Sequence, residues 1–242
     1  MQQNKIGFLG EGWGAIVAIK SLQEYFDVEC FSSDKDVIKE LVGDSKLINS
    51  FDDFTCEILL CAGYKSIINT KLLKKYQIIN IHYSLLPRYR GLHSTAWAIM
   101  NGEKSIGLTI HLMNENIDDG PILHQKIFIN DQISSATHYM EKMNNYIFEN
   151  LGEIFSKYVK GSIVPIEQEK KKASWVGKRG IQHNIINFHK DFEYCRRLFR
   201  LLQFPYPQPN IKYKGILYNV VKVSFHRSNI KTDISRILNN DE

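Results

Sequence analysis

Short apolar runs recur along the chain, and between them apolar residues return at three- and four-residue steps. The runs 5–10, 28–31, 57–62, 78–82, 107–113 and 122–129 predict strands. The strongest helical pattern covers 136–160, where Met140, Met143, Tyr146, Ile147, Leu151, Ile154, Phe155 and Tyr158 share one face. Ser134 and Ser135 are its capping candidates and Gly161 its stop. Strands alternating with helices predict an α/β sheet, mainly parallel, with helices on its faces.

Beyond Gly161 the pattern changes. A polar stretch with Lys170, Lys171 and Lys172 leads to a basic, aromatic helix over 192–202, then to Pro205, Pro207 and Pro209, then to a hairpin from Lys214-Gly215 to Val223. A boundary near 165 follows, with a catalytic domain over 1–165 and a small C-terminal subdomain of helix and β-hairpin over 166–242. No internal repeat or low-complexity tract is visible.

Composition is that of a folded globular protein: 242 residues, 43% apolar, 24% charged, 6 prolines. The first residues show no signal-peptide pattern and no apolar run has membrane length, so a soluble, cytoplasmic protein is expected. Four cysteines lie scattered, none in a C-x-x-C pair, which suggests neither a metal site nor a disulfide framework. The net charge of +5 is uneven: 1–165 carries −3 and 166–242 carries +8. The basic third is either a solvated surface or a site for an anionic partner.

The start of the chain invites a dinucleotide reading, because strand 5–10 runs into Gly10-Glu11-Gly12-Trp13-Gly14. The third glycine of a G-x-G-x-x-G loop comes one residue early, so turn geometry and close packing explain these glycines better.

The chemistry sits in Asn80-Ile81-His82-Tyr83-Ser84-Leu85-Leu86-Pro87-Arg88-Tyr89-Arg90-Gly91. Asn80 and His82 point to one face at the carboxyl end of a strand, where open α/β sheets place ligands. Further on, Ile117-Asp118-Asp119-Gly120-Pro121 puts carboxylates in a tight turn between two strands. An amide, an imidazole and a carboxylate on one edge suit attack of an amine on a carbonyl, with oxyanion donor, proton acceptor and orienting group all present. Taken singly, His82 also reads as a hydrogen-bonded strand-end histidine, Asn80 as a turn-former and Asp118 as a loop cap. His111, alternating with Thr109 and Met113, reads as a buried structural histidine outside that trio.

From Ile58 to Ile129 the chain resembles the 10-formyltetrahydrofolate-dependent formyltransferases. The matching features are Cys61-Ala62-Gly63-Tyr64 at a strand end, Asn80-x-His82 with Ser84-Leu85-Leu86-Pro87 and Gly91, the strand Gly107-x-Thr109-x-His111, and Asp118-x-Gly120-Pro121-Ile122. The resemblance implies a Rossmann-like formyltransferase core, a catalytic triad of Asn80, His82 and Asp118, and no metal. It places 10-formyltetrahydrofolate against Lys65, Ser66, Ile67, Ile68, Leu85, Leu86 and the Asp118 turn.

Within that family the tail discriminates. About 77 residues past 165 are short for the barrel of methionyl-tRNA formyltransferases, whereas glycinamide ribonucleotide transformylases stop soon after the long helix. The tail is similar to the short extension of sugar N-formyltransferases, which act on nucleotide-linked amino sugars. That implies substrate contacts from Arg88, Tyr89, Arg90, Trp175, Lys178, Arg179, Arg196, Arg197 and Tyr206, with aromatics for a base and guanidiniums for a pyrophosphate. The favoured substrate is dTDP-4-amino-4,6-dideoxy-D-glucose, on a route to O-antigen or other lipopolysaccharide. Expected partners are this small molecule and a second copy in a homodimer, with no nucleic acid and no membrane. Other readings are a glycinamide ribonucleotide formyltransferase of purine biosynthesis, a folate- or nucleotide-sensing binding protein, and a nicotinamide-dependent reductase.

Overall fold

The structure is a computed structural model that describes residues 5–187, 189–202, 206–226 and 229–236. Pro205, part of the expected tail, lies outside these described residues.

The strands are β1 (Lys5–Gly10), β2 (Asp27–Phe31), β3 (Lys46–Leu47), β4 (Ile58–Ala62), β5 (Gln77–His82), β6 (Arg90–Gly91), β7 (Ser105–Leu112), β8 (Ile122–Ile129), β9 (Trp175–Val176), β10 (Asn210–Tyr213), β11 (Ile216–His226) and β12 (Asn229–Arg236). The helices are α1 (Trp13–Gln23), α2 (Lys35–Ile38), α3 (Thr70–Lys75), α4 (Ser94–Met100), α5 (Ala136–Val159) and α6 (Phe192–Leu201). One seven-stranded sheet has the order β3-β2-β1-β4-β5-β7-β8, β6 pairs with β9, and β10-β11-β12 form an antiparallel sheet. The β3 to β5 block is parallel and β7 runs antiparallel to β5. This is the α/β architecture with a mainly parallel sheet that the apolar pattern predicts.

The chain forms two compact units: Met1–Gly91 with Gly107–Phe128 and Glu141–Trp175, and Leu92–Ile106 with Ile129–Met140 and Val176–Glu242. In the first, the central strands are near-continuous apolar runs because both faces are covered: Phe8, Leu9, Leu59, Leu60 and Ile79 are fully buried. One face packs Leu9, Cys61, Ile68 and Ile78 into a cluster with Tyr64 and Met113 beside it. On α5, Gly152 donates its N–H to Ser21 Oγ at 3.0 Å, and a Cβ there would collide with the Ser21 carbonyl. Glycine is therefore what lets α5 lie against α1.

Local signals explain the ends of elements. Ser135 Oγ accepts the His138 N–H at 3.2 Å at the start of α5, and Gly161 after its end takes φ +73°. Asp191 caps α6 by accepting the Tyr194 N–H at 2.6 Å. In the second unit Tyr213 pairs with Ile216, and the two residues between them, Lys214 and Gly215, both have positive φ of 47° and 85°. Two such residues make the tight mirror-image turn that matches strand twist, so the expected hairpin forms. It continues into β12, which short polar and charged residues had hidden.

Candidate active site

Strand pairing brings the site together. In the β5·β7 register Asn80 faces His111 and His82 faces Thr109, so these side chains rise on one face at the carboxyl end of β5. Asn80 Nδ2 lies 3.2 Å from His111 Nε2. The turn between β7 and β8 then delivers Asp118, whose Oδ2 accepts the Gly91 N–H at 2.8 Å. Asp118 Oδ2 is 3.4 Å from His82 Nδ1, and Oδ1 is 3.6 Å from His111 Nε2. Asn80, His82 and Asp118 converge, and His111 joins them.

Hydrogen bonds to carbonyls decide which ring nitrogens carry protons. His82 Nε2 is 2.8 Å from the Tyr89 carbonyl and His111 Nδ1 is 2.8 Å from the Leu112 carbonyl. A carbonyl only accepts, so these nitrogens donate; the Asn80 amide then donates to His111 Nε2. Neutral His82 presents the lone pair of Nδ1 to Asp118. Burial pushes the His82 pKa below its usual value and the His111 ring adds to this, while the Asp118 charge and the Tyr89 carbonyl pull the other way and lose. For Asp118 burial acts upward, but the His111 and His82 rings, when protonated, and the Gly91 N–H together hold its carboxyl below the usual range. At neutral pH the pair is a neutral imidazole beside a carboxylate, able to take up one proton.

The turn that carries Asp118 is held from behind. Asp118 itself sits at φ +50°, unusual for a residue with a side chain, and a Cβ at Gly120 would collide with the Leu112 carbonyl. Gln168 Nε2 donates to the carbonyls of Asp118 and Gly120, each at 2.8 Å. Its Oε1 accepts from Arg90 Nη2 at 2.7 Å, and Arg90 Nη1 contacts Asp119 Oδ1 at 2.6 Å. Gln168 lies in a coil segment with no periodic pattern, and sequence reasoning missed it. The one available signal was Asp119, an acid adjacent to the motif with no catalytic use.

The other expected site residues fall as follows. Lys65, Ser66 and Ile67 form an exposed loop after β4, with Lys65 on Glu11 at 2.7 Å, and Ile68 is buried in the core cluster. Leu86 is buried, its N–H on Thr109 Oγ1 at 3.1 Å, and Leu85 is half-buried. Arg88 is exposed, Tyr89 is buried, and Trp175 is exposed with the Arg90 guanidinium 5.4 Å from its ring. Arg90, expected to face substrate, is 3% exposed and turned inward by Asp119 and Gln168. In the second unit, Lys178 is exposed, Arg179 is buried and Tyr206 is half-buried. Arg196 bonds Glu193 and the Gln132 carbonyl, and Arg197 the Met100 carbonyl at 2.9 Å. Arg200 bonds the Ser134 carbonyl and Asn130. This helix uses its arginines to tie neighbouring loops of its own unit.

The early glycines behave as turn residues. Gly12 has φ +78° and its N–H is taken by Asp34 Oδ2 at 2.7 Å, so the carboxylate of this chain occupies the donor a pyrophosphate would need.

The model of the family described as formyl transferase matches residues 15–149. This chain belongs to that family. It is 33% identical over 173 residues to a methionyl-tRNA formyltransferase of Thermodesulfovibrio yellowstonii, covering 70% of this chain and 54% of that one. It is 30% identical over 179 residues to a GDP-perosamine N-formyltransferase of Brucella melitensis, covering 73% and 68%. A crystal structure of a 4-N formyltransferase from Francisella tularensis superposes with a TM-score of 0.74 at 16% identity, covering 99% of this chain and all of that one, which shows a shared fold. The chain matches a little over half the length of the first methionyl-tRNA relatives. Among the described residues no helix is long and apolar enough to cross a membrane, and no group of three or more His, Cys, Asp or Glu could hold a metal ion.

Proposed function

We propose that this chain transfers a formyl group from 10-formyltetrahydrofolate to the amine of a nucleotide-linked amino sugar. The observation that carries the reading is the convergence of Asn80, His82 and Asp118 at the end of β5. The co-substrate fits the loop after β4, where Ile67 stands 96% exposed between Ser66 and Ile68, an apolar side chain suited to covering a flat ring. When bound, 10-formyltetrahydrofolate supplies the formyl carbon. Lys65, Ser66, Ile67, Leu85 and the Asp118 turn are the residues proposed to hold it, with Ile68 and Leu86 supporting them from the core.

Asn80, with one amide N–H on His111 Nε2, donates the other to the carbonyl oxygen on which charge develops. His82, kept neutral by burial, accepts at Nδ1 the proton that the attacking amine loses, Asp118 stabilises the imidazolium so formed, and that proton would go on to the departing N10 as the formyl C–N10 bond breaks. Gln168 and Arg90 keep the Asp118 carboxylate facing both rings.

The amino-sugar reading rests on the basic C-terminal region and on the relatives that are sugar formyltransferases. Within it, dTDP-4-amino-4,6-dideoxy-D-glucose remains the favoured substrate, with surface polysaccharide synthesis, a cytoplasmic homodimer and a 1–165/166–242 division of labour as parts of the same proposal. A second reading, formylation of methionyl-tRNA, is favoured by the 33% identity to such an enzyme. Incubation with 10-formyltetrahydrofolate and a panel of dTDP-, UDP- and GDP-amino sugars, glycinamide ribonucleotide and charged initiator tRNA separates them. A formyl mass gain on a nucleotide sugar is expected; gain on the tRNA alone, or on glycinamide ribonucleotide alone, would overturn the sugar reading.

A further inference from the structure

The loop that follows His82 has neither helix nor strand over 84–88, yet side chains from β7 and β8 hold its backbone. Thr109 of β7 and Gln125 of β8 make this frame, which lies wholly in the first unit. Thr109 Oγ1 donates to the Ser84 carbonyl at 2.6 Å and accepts the Leu86 N–H at 3.1 Å. Gln125 Nε2 donates to the Leu86 carbonyl at 2.7 Å and to Thr109 Oγ1 at 3.0 Å. A hydroxyl has one proton to give and two lone pairs to fill, and an amide nitrogen has two protons, so both groups are saturated.

Two further contacts close the frame. Ser84 Oγ donates to the Arg88 carbonyl at 2.8 Å, and the Arg88 N–H donates to the Leu85 carbonyl at 3.1 Å. Gly107 of β7 lies against Leu85: a Cβ there would meet the Leu85 side chain at 2.6 Å and collide with the Lys126 carbonyl. Loop carbonyls ordinarily turn to water, but here two strands consume them and so decide which atoms of the loop face outward. What is left is Leu85, whose side chain is half-buried and whose N–H takes part in none of these bonds. Ordering a loop before its ligand arrives removes that cost from binding.

We propose that Gln125 and Thr109 are positioning residues for the co-substrate, fixing the loop over 84–88 so that Leu85 and Leu86 meet 10-formyltetrahydrofolate already in place. The inference rests on the reading that the co-substrate lies against Leu85 and Leu86. The full chain is titrated calorimetrically with 5-formyltetrahydrofolate, whose formyl group sits on N5, and hydrogen exchange across 83–90 is followed with and without it. In the parent chain, binding with slowed exchange across this segment is expected. Gln125→Met keeps the length of the side chain and removes both donors, so it should weaken the folate by about three- to thirtyfold, the cost of ordering a short segment on binding. Thr109→Val, which keeps the shape and loses the hydroxyl, should weaken it to a similar extent. Thr109→Ser restores the hydroxyl and should return affinity to within about threefold of the parent.

Affinities are compared below each variant's melting temperature, and Gln125→Met or Thr109→Val decides alone should the other fail to fold. A lowered melting temperature with parent affinity makes the pair purely structural and overturns the proposal, as does failure of both variants to fold. Slowed exchange in the parent with unchanged affinity in the variants overturns the proposal and leaves the placement of the co-substrate standing. No folate binding, or binding that leaves exchange across 83–90 unaltered, overturns that placement and the proposal with it.

Discussion

Two of the buried arginines, Arg90 in the first unit and Arg179 in the second, have opposite surroundings. Arg90 is 3% exposed and lies on Asp119 at 2.6 Å and Gln168 at 2.7 Å. Arg179 is 9% exposed and has only neutral partners. A buried charge that brings its own counter-ion offsets its desolvation; one held only by neutral acceptors does so less fully. The contrast separates the two units: the first balances its buried guanidinium with a carboxylate of its own, and the second holds Arg179 on neutral acceptors.

The largest expected effect is at the chemistry. Asn80→Ala should lower kcat by about 100- to 1,000-fold, the usual loss for one oxyanion donor, with the melting temperature little changed. Near-normal turnover would remove Asn80 from the mechanism.

The arginines differ next in how their removal should read. Arg90→Met strands Asp119 and loosens Gln168, so a loss of about 3–5 kcal/mol of stability is expected in denaturant titration. Arg179→Met removes a charge nothing balances, so its loss should be smaller, the two lost hydrogen bonds being offset in part by relief of desolvation. Equal losses would break the comparison.

Gln168→Ala should act through Asp118. Its carbonyl and that of Gly120 lose their donor, the turn relaxes, and a fall in kcat of about tenfold to a hundredfold with little change in KM is expected, because small misplacements are that costly. An unchanged pH profile together with lost stability would make the residue purely structural. The smallest effects belong to Arg196 and Arg197, which bond Glu193 and the Gln132 and Met100 carbonyls: charge removal should raise KM for the sugar nucleotide a few-fold, less at high salt, with kcat unaltered.

The sheet was readable because parallel central strands must be apolar throughout, and the shared face of Asn80 and His82 because they keep a two-residue step along a strand. Asp118 was readable from the glycine that its turn cannot do without. The supports were not. Gln168 reaches Asp118 across 50 residues of chain, and nothing local marks it. Arg90 looks like a substrate ligand in sequence because an arginine beside a catalytic loop has the same letter whether it faces out or in; only Asp119 and Gln168 decide. The fate of His111, expected as structural, shows the limit from the other side: its ring is fixed by the Leu112 carbonyl yet sits 3.6 Å from Asp118.

Proton uptake by His82 beside Asp118 is most directly tested by the pH dependence of single-turnover formyl transfer. Burial lowers the His82 pKa, so the acidic inflection should lie below the ordinary imidazole value of about 6.5. In Asp118→Asn the carboxylate that opposes this shift is gone, so the inflection should move lower still while the rate falls. In His82→Asn it should vanish. An inflection that persists unchanged in His82→Asn would assign the ionisation to the substrate amine or another group and contradict the proton-accepting role of His82.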